Sequence, residues 1–333
     1  MIFYLVQRQN SKSLQYVDLW GPEPGSRMQF LFYDDLLHIQ QARPGTYIFS
    51  DLETLSPGQL QLAIEFDDQL SRAGSQFRVL NHPARVLRRY DALTKLYEEG
   101  VNSFRVVRAC DSLEGIRFPL FLRREDDHRG NLTPLLRDQA ALDRGLKYVR
   151  LQGNHLADIL VVEFCDASDR AGVFRKYSAF VVDKQVLPRH LFFGHNWNLK
   201  KPSLKTDELN QEQNRYLETN PHESFVADVF RRTNIDYGRI DYGVAGGVPQ
   251  VWEINTHPTV LKVTPRLTDA FEAIDTAGDG DPVPISFRRE TLEQVRQEVK
   301  RRSRNASLRT AVSTLASTPL LEPVKQMLKR WLA

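Results

Sequence analysis

Residues 238–258 read Gly238-Arg239-Ile240-Asp241-Tyr242-Gly243-Val244-Ala245-Gly246-Gly247-Val248-Pro249-Gln250-Val251-Trp252-Glu253-Ile254-Asn255-Thr256-His257-Pro258. Two apolar-rich runs flank Gly246-Gly247, so the stretch is expected to fold as two strands around a glycine turn. Successive side chains on a strand point to opposite faces. Glu253 and Asn255 therefore share one face, and so do Arg239 and Asp241. If the turn keeps both pairs on one side, two carboxylates, one amide oxygen and one guanidinium converge. Such a donor set suits a hard cation such as magnesium, or manganese in its place. A two-residue turn would pair Ala245 with Val248 and hence Asp241 with Trp252, turning Glu253 away. A shared face therefore needs a three-residue loop, Gly246-Gly247-Val248, or a bulge nearby. The longer loop would put Pro249 at the strand's first position, where a missing N–H is tolerated.

Upstream of this hairpin, Phe118 to Arg123 is expected as a strand, followed by a polar loop from Asp126 to Asn131. Ile159 to Phe164 is a strongly apolar strand, and Phe174 to Asp183 with Gln185 to Phe193 forms a hairpin. Helices are expected over Ser56 to Gly74, Arg85 to Glu99 (closed by Gly100), Leu135 to Leu146 and Glu223 to Arg232. In the first ninety residues strands alternate with helix-like stretches, among them Met1 to Val6, Thr46 to Phe49 and Phe77 to Leu80. This βα pattern predicts an open, largely parallel sheet. It carries no glycine-rich phosphate loop, which argues against a dinucleotide site.

The Arg239-x-Asp241, turn, Glu253-x-Asn255-Thr256-x-Pro258 arrangement resembles the metal-binding hairpin of ATP-grasp enzymes. It looks closest to that of D-alanine–D-alanine ligases and ribosomal-protein glutamate ligases. The resemblance implies an α/β chain of α+β lobes: an ATP-grasp fold with an N-terminal parallel-sheet lobe and a C-terminal helical tail. It makes Asp241, Glu253 and Asn255 the magnesium ligands, and Arg239 the residue that stabilises the reacting acyl group. Arg123 falls where the family has an ATP-phosphate lysine. Arginine keeps the charge and binds phosphate bidentately, but is not equivalent to lysine. The 126–131 loop sits where the family has a mobile phosphate lid, and His128 lies on it. Glu163, Phe164 and Cys165 match the hinge that holds adenine, and the ribose acid would be Asp166 or Asp169. Arg175, Lys176 and Arg189 lie where the family places basic residues facing the triphosphate. Asn196, Trp197 and Lys200 lie near the acceptor site. For these last six residues, a structural or surface role competes equally. The resemblance spans about residues 85 to 265.

The rest of the composition excludes more than it assigns. The 333 residues are 41% hydrophobic and 26% charged, values ordinary for a soluble globular chain. No apolar run approaches the ~20 residues of a membrane span. The apolar start lacks a basic leader and reads as a strand. Cys110 and Cys165 are the only cysteines and have no metal-type spacing. Free thiols in a reducing cytoplasm follow, and with them a cytoplasmic location. A net charge of +3 with a pI near 8.8 comes with no nucleic-acid motif. No catalytic Ser-His-Asp or Cys-His pattern is present. Four segments are expected: 1–90, an N-terminal lobe; 91–165, a small lobe with the lid; 166–282, a large lobe with the metal hairpin; and 283–333, a helical extension. Within the extension Glu290 to Arg304 is one charged helix. Leu320 to Leu332 is an amphipathic second helix, suited to packing on its own domain, on a partner or on a membrane surface. The activity implied by the resemblance is an ATP- and magnesium-dependent ligase. It would turn a small-molecule or peptide carboxylate into an acylphosphate for attack by an amine or similar nucleophile. A kinase acting on a hydroxyl and an ATP-binding regulator are the alternatives, and a homodimer is compatible with the sequence.

Overall fold

The computed structural model describes residues 1–8, 10, 28–126, 130–260, 264–276 and 280–301. The first lobe contains β1 (Ile2–Val6), β2 (Met28–Phe32), a short β3 (Gln41–Ala42), β4 (Gly45–Phe49), α1 (Pro57–Arg72) and β5 (Phe77–Leu80). Its sheet runs β2-β1-β4-β5 with every pair parallel. β1 and β4 are buried along their whole length, which is why both read as unbroken apolar runs. Ser56 and Gln59 close a capping box on α1, with Pro57 as its first residue. Leu62, Phe66 and Leu70 of α1 pack on this sheet's core.

The small lobe follows with α2 (Arg89–Glu98), β6 (Val106–Arg108), β7 (Leu120–Arg124), α3 (Gln139–Leu151) and β8 (Ile159–Glu163). Its three strands run β6-β8-β7, all antiparallel. The large lobe contains β9 (Phe174–Val182), β10 (Gln185–Gly194), α4 (Asp207–Thr219), α5 (Glu223–Thr233), β11 (Tyr237–Ala245), β12 (Val248–Asn255) and α6 (Pro265–Ile274). Its sheet runs β10-β9-β11-β12, also antiparallel. Strand alternation gives this sheet two different faces. Ala179, Val181, Ile240, Tyr242 and Val251 form one face, buried with Val226, Val229 and Phe230 of α5 and with Leu160 and Val162 of the small lobe. The other face carries Lys176, Ser178, Arg239, Asp241, Glu253 and Asn255.

Several boundaries differ from the sequence reading. The small-lobe helix α2 begins at Arg89, not Arg85, because Arg85 and Val86 turn back on the His82 carbonyl and Leu87 N–H bonds Thr233. α3 begins at Gln139, not Leu135, because Leu136 exchanges two backbone bonds with Leu120, at 2.9 and 2.7 Å. Asp138 caps α3 by accepting from Ala141 N–H at 2.7 Å. α4, capped by Thr206, was not anticipated.

Residues 289–301 are helical and return to the first lobe. β13 (Val283–Pro284) pairs with β3, and Ile285 and Val295 are buried in the α1 core. Glu298 accepts from Gly58 N–H at 3.1 Å and from the Ser56 hydroxyl. The start of the expected extension therefore completes the N-terminal lobe. The segment Leu320 to Leu332 and His128 lie outside the described residues. No helix among the described residues is long and apolar enough to cross a membrane.

Candidate functional site

The β11–β12 hairpin puts its acids face to face by the second of the two routes considered. Gly246 and Gly247, at φ of +57° and +83°, form a two-residue turn with Ala245 opposite Val248. Two consecutive positive φ values are what such a turn demands, and glycine adopts them without strain. The register then shifts between Tyr242, opposite Val251, and Asp241, opposite Glu253. Trp252 is the extra residue of a β-bulge, and it restores the parity that the short turn breaks. The expected three-residue loop is absent, and Pro249 is the second residue of β12, opposite Val244. Arg239 lies opposite Asn255, so all four side chains share one face.

That face lines a cavity of about 380 Å³ between the small and large lobes. One end is apolar, with Leu93, Phe104, Phe121, Val162, Phe164 and Trp252 in its wall. Trp197, from the loop after β10, packs against Phe121 at 4.9 Å and edge-on to Phe164 at 5.7 Å between ring centroids. The other end is charged. Asp241 Oδ2 lies 2.7 Å from Lys176 Nζ, and its Oδ1 accepts from Ser178 Oγ at 2.8 Å. Glu253 accepts from Arg123 at 2.7 Å and from Arg89 at 3.2 Å. Asn255 Oδ1 accepts from the backbone of His257 at 2.8 Å. Burial alone would raise the Asp241 carboxyl, but Arg239 and Lys176 overcome it and hold the group below the usual carboxylate range.

The first lobe holds the end of this hairpin in place. The Leu52 N–H donates to Thr256 Oγ1 at 3.3 Å, and Thr256 Oγ1 donates to Glu53 at 2.5 Å. Tyr4 Oη lies 3.2 Å from His257 Nδ1. Tyr4 and Leu52 belong to β1 and to the turn after β4, the two adjacent strands from which the chain winds in opposite directions. Open parallel sheets bind ligands at such a point.

The remaining candidates divide. Phe164, Cys165, Arg175, Lys176, Trp197 and Lys200 line the cavity with Arg123. Glu163 also borders it, but its carboxylate is taken by Arg117 at 2.6 Å and by the N–H groups of Arg105 and Arg117 at 2.9 and 2.8 Å. Its N–H is engaged too, donating to the Arg105 carbonyl at 3.0 Å. Burial pushes the Cys165 thiol up, away from a thiolate nucleophile. Asp166 bonds Ser168 N–H and Oγ. Asp169 pairs with Arg175 at 2.6 Å. Asn196 accepts from Asn198 N–H. None of these three borders the cavity, and neither does Arg189, whose guanidinium instead lies over Phe180.

Two residues of the site escaped the sequence reading. Arg89, first residue of α2, is 6% exposed and donates to the carbonyls of Arg124 and Glu125 as well as to Glu253. It ties the end of β7 to β12, and nothing in its local sequence marks it. Ser178 was legible as the same-face neighbour of Lys176 two positions away.

The site fits a hard cation. Its donors are oxygens only, two carboxylates and an amide whose oxygen keeps a second lone pair. Among the described residues no three His, Cys, Asp or Glu side chains gather into a metal set.

No family model matches the sequence, and no curated protein matches it. Among solved structures, the fold is similar to D-alanine–D-alanine ligase from Bacillus anthracis complexed with ATP. Identity is 14%, the match covers 89% of this chain and 98% of that one, and the TM-score is 0.50. A second structure of the same ligase gives 15% identity, the same coverage and a TM-score of 0.50. D-cycloserine synthetase matches at 14% identity over 82% of this chain and 99% of its own, with a TM-score of 0.47. At these identities the likeness is one of fold.

Proposed function

The chain has the ATP-grasp fold, and on that premise we propose that it is an ATP-dependent ligase that activates a carboxylate by phosphoryl transfer for attack by an amine or similar nucleophile. The observation that carries this reading is the polarity of the 380 Å³ cavity. Its aromatic end suits a planar base, and its cationic end, built around the facing pair Asp241 and Glu253, suits a polyphosphate. Neither end alone would call for a nucleotide.

Phe121, Phe164, Trp197 and Val162 enclose the base and exclude water from it. The backbone of Glu163, Phe164 and Cys165 runs along that end and presents polar groups to the edge of the base. Arg123 and Lys176 reach the phosphate oxygens, and arginine adds a two-pronged grip that lysine lacks. Asp241, Glu253 and Asn255 would hold magnesium, which neutralises charge on the phosphates when bound. Arg89 and Arg123 fix the Glu253 carboxylate so that its orientation does not depend on the ligand. Arg239, on the same face, stabilises the oxyanion that forms when the nucleophile attacks the activated carbonyl. No side-chain nucleophile is required.

The test is ADP release by the purified chain with magnesium and ATP across a panel of carboxylates, each with and without amines. ADP formation that depends on both partners, with a product mass equal to their sum less water, supports the ligase. ADP with a stable phosphoester would make it a kinase. ATP binding without turnover on any acceptor would leave a regulator.

A further inference from the structure

The face that carries the metal candidates continues past the cavity. Ser178 lies opposite both His190 and Asp241, and Asp241 lies opposite Glu253, which makes one row across all four strands. The neighbouring row is Leu187, Phe180, Arg239 and Asn255. Arg189 sits between these rows at a bulge in β10, where the register shifts between Pro188 and His190. The bulge re-aims its side chain over the ring of Phe180, with the guanidinium carbon 5.7 Å from the ring centroid. Phe180 is itself directly opposite Arg239. Arg189 thus lies over the ring of the residue that faces Arg239 across the ladder.

This cluster carries two buried nitrogens without a hydrogen bond. Among the described residues Arg189 pairs with no carboxylate. The Nε of Arg239 and the Nε2 of His190 are buried and make no hydrogen bond, although Arg239 Nε lies 3.3 Å from Asp241 Oδ1. His190 stacks on Phe192 at 3.8 Å and is held neutral: burial, with Arg239, Lys176 and Arg189 nearby, takes it down to about 3. Burial and Arg239 also depress the Arg189 guanidinium. Adjacent like charges and buried orphan donors are costly, and each such group in a folded protein calls for a partner. An oxyanion supplies that partner to Arg239 and neutralises the two adjacent guanidiniums. The triphosphate end of the cavity includes Lys176 and Arg239 but neither Arg189 nor His190. Arg189 and His190 lie on β10, across β9 from Arg239.

We propose that Arg189, with Arg239 across Phe180, forms an anion subsite for a second acidic group of the acceptor. The carboxylate substrate is then a dianion: its reacting carboxylate meets Arg239 and its distal oxyanion meets Arg189. Arg189 is the specificity-determining residue, and the inference rests on the ligase reading above.

Calorimetric titration of the full chain tests it, with and without saturating Mg-ADP. The probes are butanoate as the monoanion, glutarate as a dicarboxylate and 3-sulfopropanoate as a sulfonated carboxylate. At least one dianion binds tenfold or more tighter than butanoate, and which one does so identifies the distal group. Arg189→Gln, which keeps the stem over Phe180, removes that advantage. Arg189→Lys keeps part of it, since the charge remains without the planar fork. Mg-ADP affinity is unchanged in both variants. A wild-type chain that binds both dianions no better than butanoate overturns the proposal. So does an Arg189→Gln variant that keeps the preference or loses Mg-ADP binding in parallel. If circular dichroism shows that Arg189→Gln does not fold, Arg189→Lys and the wild-type comparison decide. Failure of Mg-ADP to bind the wild type, with the dianion preference intact, would sink the ligase reading and leave the subsite standing.

Discussion

Asp241 and Glu253 oppose each other across the β11–β12 ladder because Trp252 is one residue more than a regular hairpin allows. The bulge does two things at once. It brings the second carboxylate onto the face of the first, and it leaves the indole in the cavity wall, 5.6 Å from Phe104 between ring centroids. The metal candidates and the aromatic end of the cavity thus depend on the same irregularity.

Glu253→Gln is expected to lower magnesium-dependent ATP turnover by roughly a hundredfold or more, since it removes one of two charged metal ligands. It also withdraws the anion shared by Arg89 and Arg123. A fall in stability on the order of 2 kcal/mol should accompany the loss. Near-normal ADP production by a folded variant would end the metal assignment.

Gly243→Ala tests the indole. A Cβ built on Gly243 would meet Trp252 Cζ2 at 2.6 Å, and Phe104 packs against the same indole. Overpacking of this kind costs about 1–3 kcal/mol. Thermal denaturation should show a lower melting temperature, and titration should show weaker nucleotide binding. A variant indistinguishable from wild type in both would mean that Trp252 has room to move.

Nucleotide binding should be read directly as stabilisation. At a hundredfold excess over the dissociation constant, ligand binding adds about 2.7 kcal/mol, or about 4 °C for a chain of this size. The shift should be much larger for Mg-ATP than for ATP alone and should shrink on Arg123→Ala. Equal shifts with GTP would argue against the 163–165 backbone as a base-reading edge.

The small lobe carries an acid-sensitive lock. Burial would raise the Glu163 carboxyl, but Arg117 and the N–H groups of Arg105 and Arg117 outweigh it, so the folded pKa lies below the ordinary value. A depressed carboxylate stabilises the fold above the unfolded pKa, near 4.3. That contribution is lost as pH falls through the folded value. Glu163→Gln should therefore cost about 2 kcal/mol at pH 7. The gap in melting temperature between variant and wild type should close as pH drops below about 4. A gap independent of pH would show that the ion pair does not set acid stability.

The elements that were legible in the sequence are those whose signal is local. Gly246-Gly247 marks a turn by backbone conformation, and unbroken apolar runs mark buried parallel strands. Arg239, Asp241, Glu253 and Asn255 could be placed on one face by parity, given a bulge or a longer loop. Which of the two occurs depends on packing, because Trp252 has Phe104 to pack against and an added Val248 in the turn would have nothing. Arg89 was missed, and the partner of the Glu163 carboxylate went unread, for the same reason. Arg89 meets Glu253 across 164 residues of sequence, and Arg117 claims the Glu163 carboxylate across 46. Periodicity carries no information about such distant pairs. Arg189 looked like a phosphate ligand because the register break beside it cannot be read from alternation.

The return of residues 283–301 to the first lobe bears on the order in which the chain matures during synthesis. Ile285 and Val295 are interior residues of a core whose other buried members come from the first eighty positions, and Glu298 accepts from Gly58 N–H in the first turn of α1. A ribosome releases those early strands long before their last interior partners emerge. Among the described residues the small and large lobes draw their elements from positions up to about 274, whereas the amino-terminal sheet waits, unsealed, for residues 285–298. It is therefore sealed later than these two lobes, and until then its face of Phe66, Leu62 and Tyr47 is the surface a nascent-chain chaperone would meet.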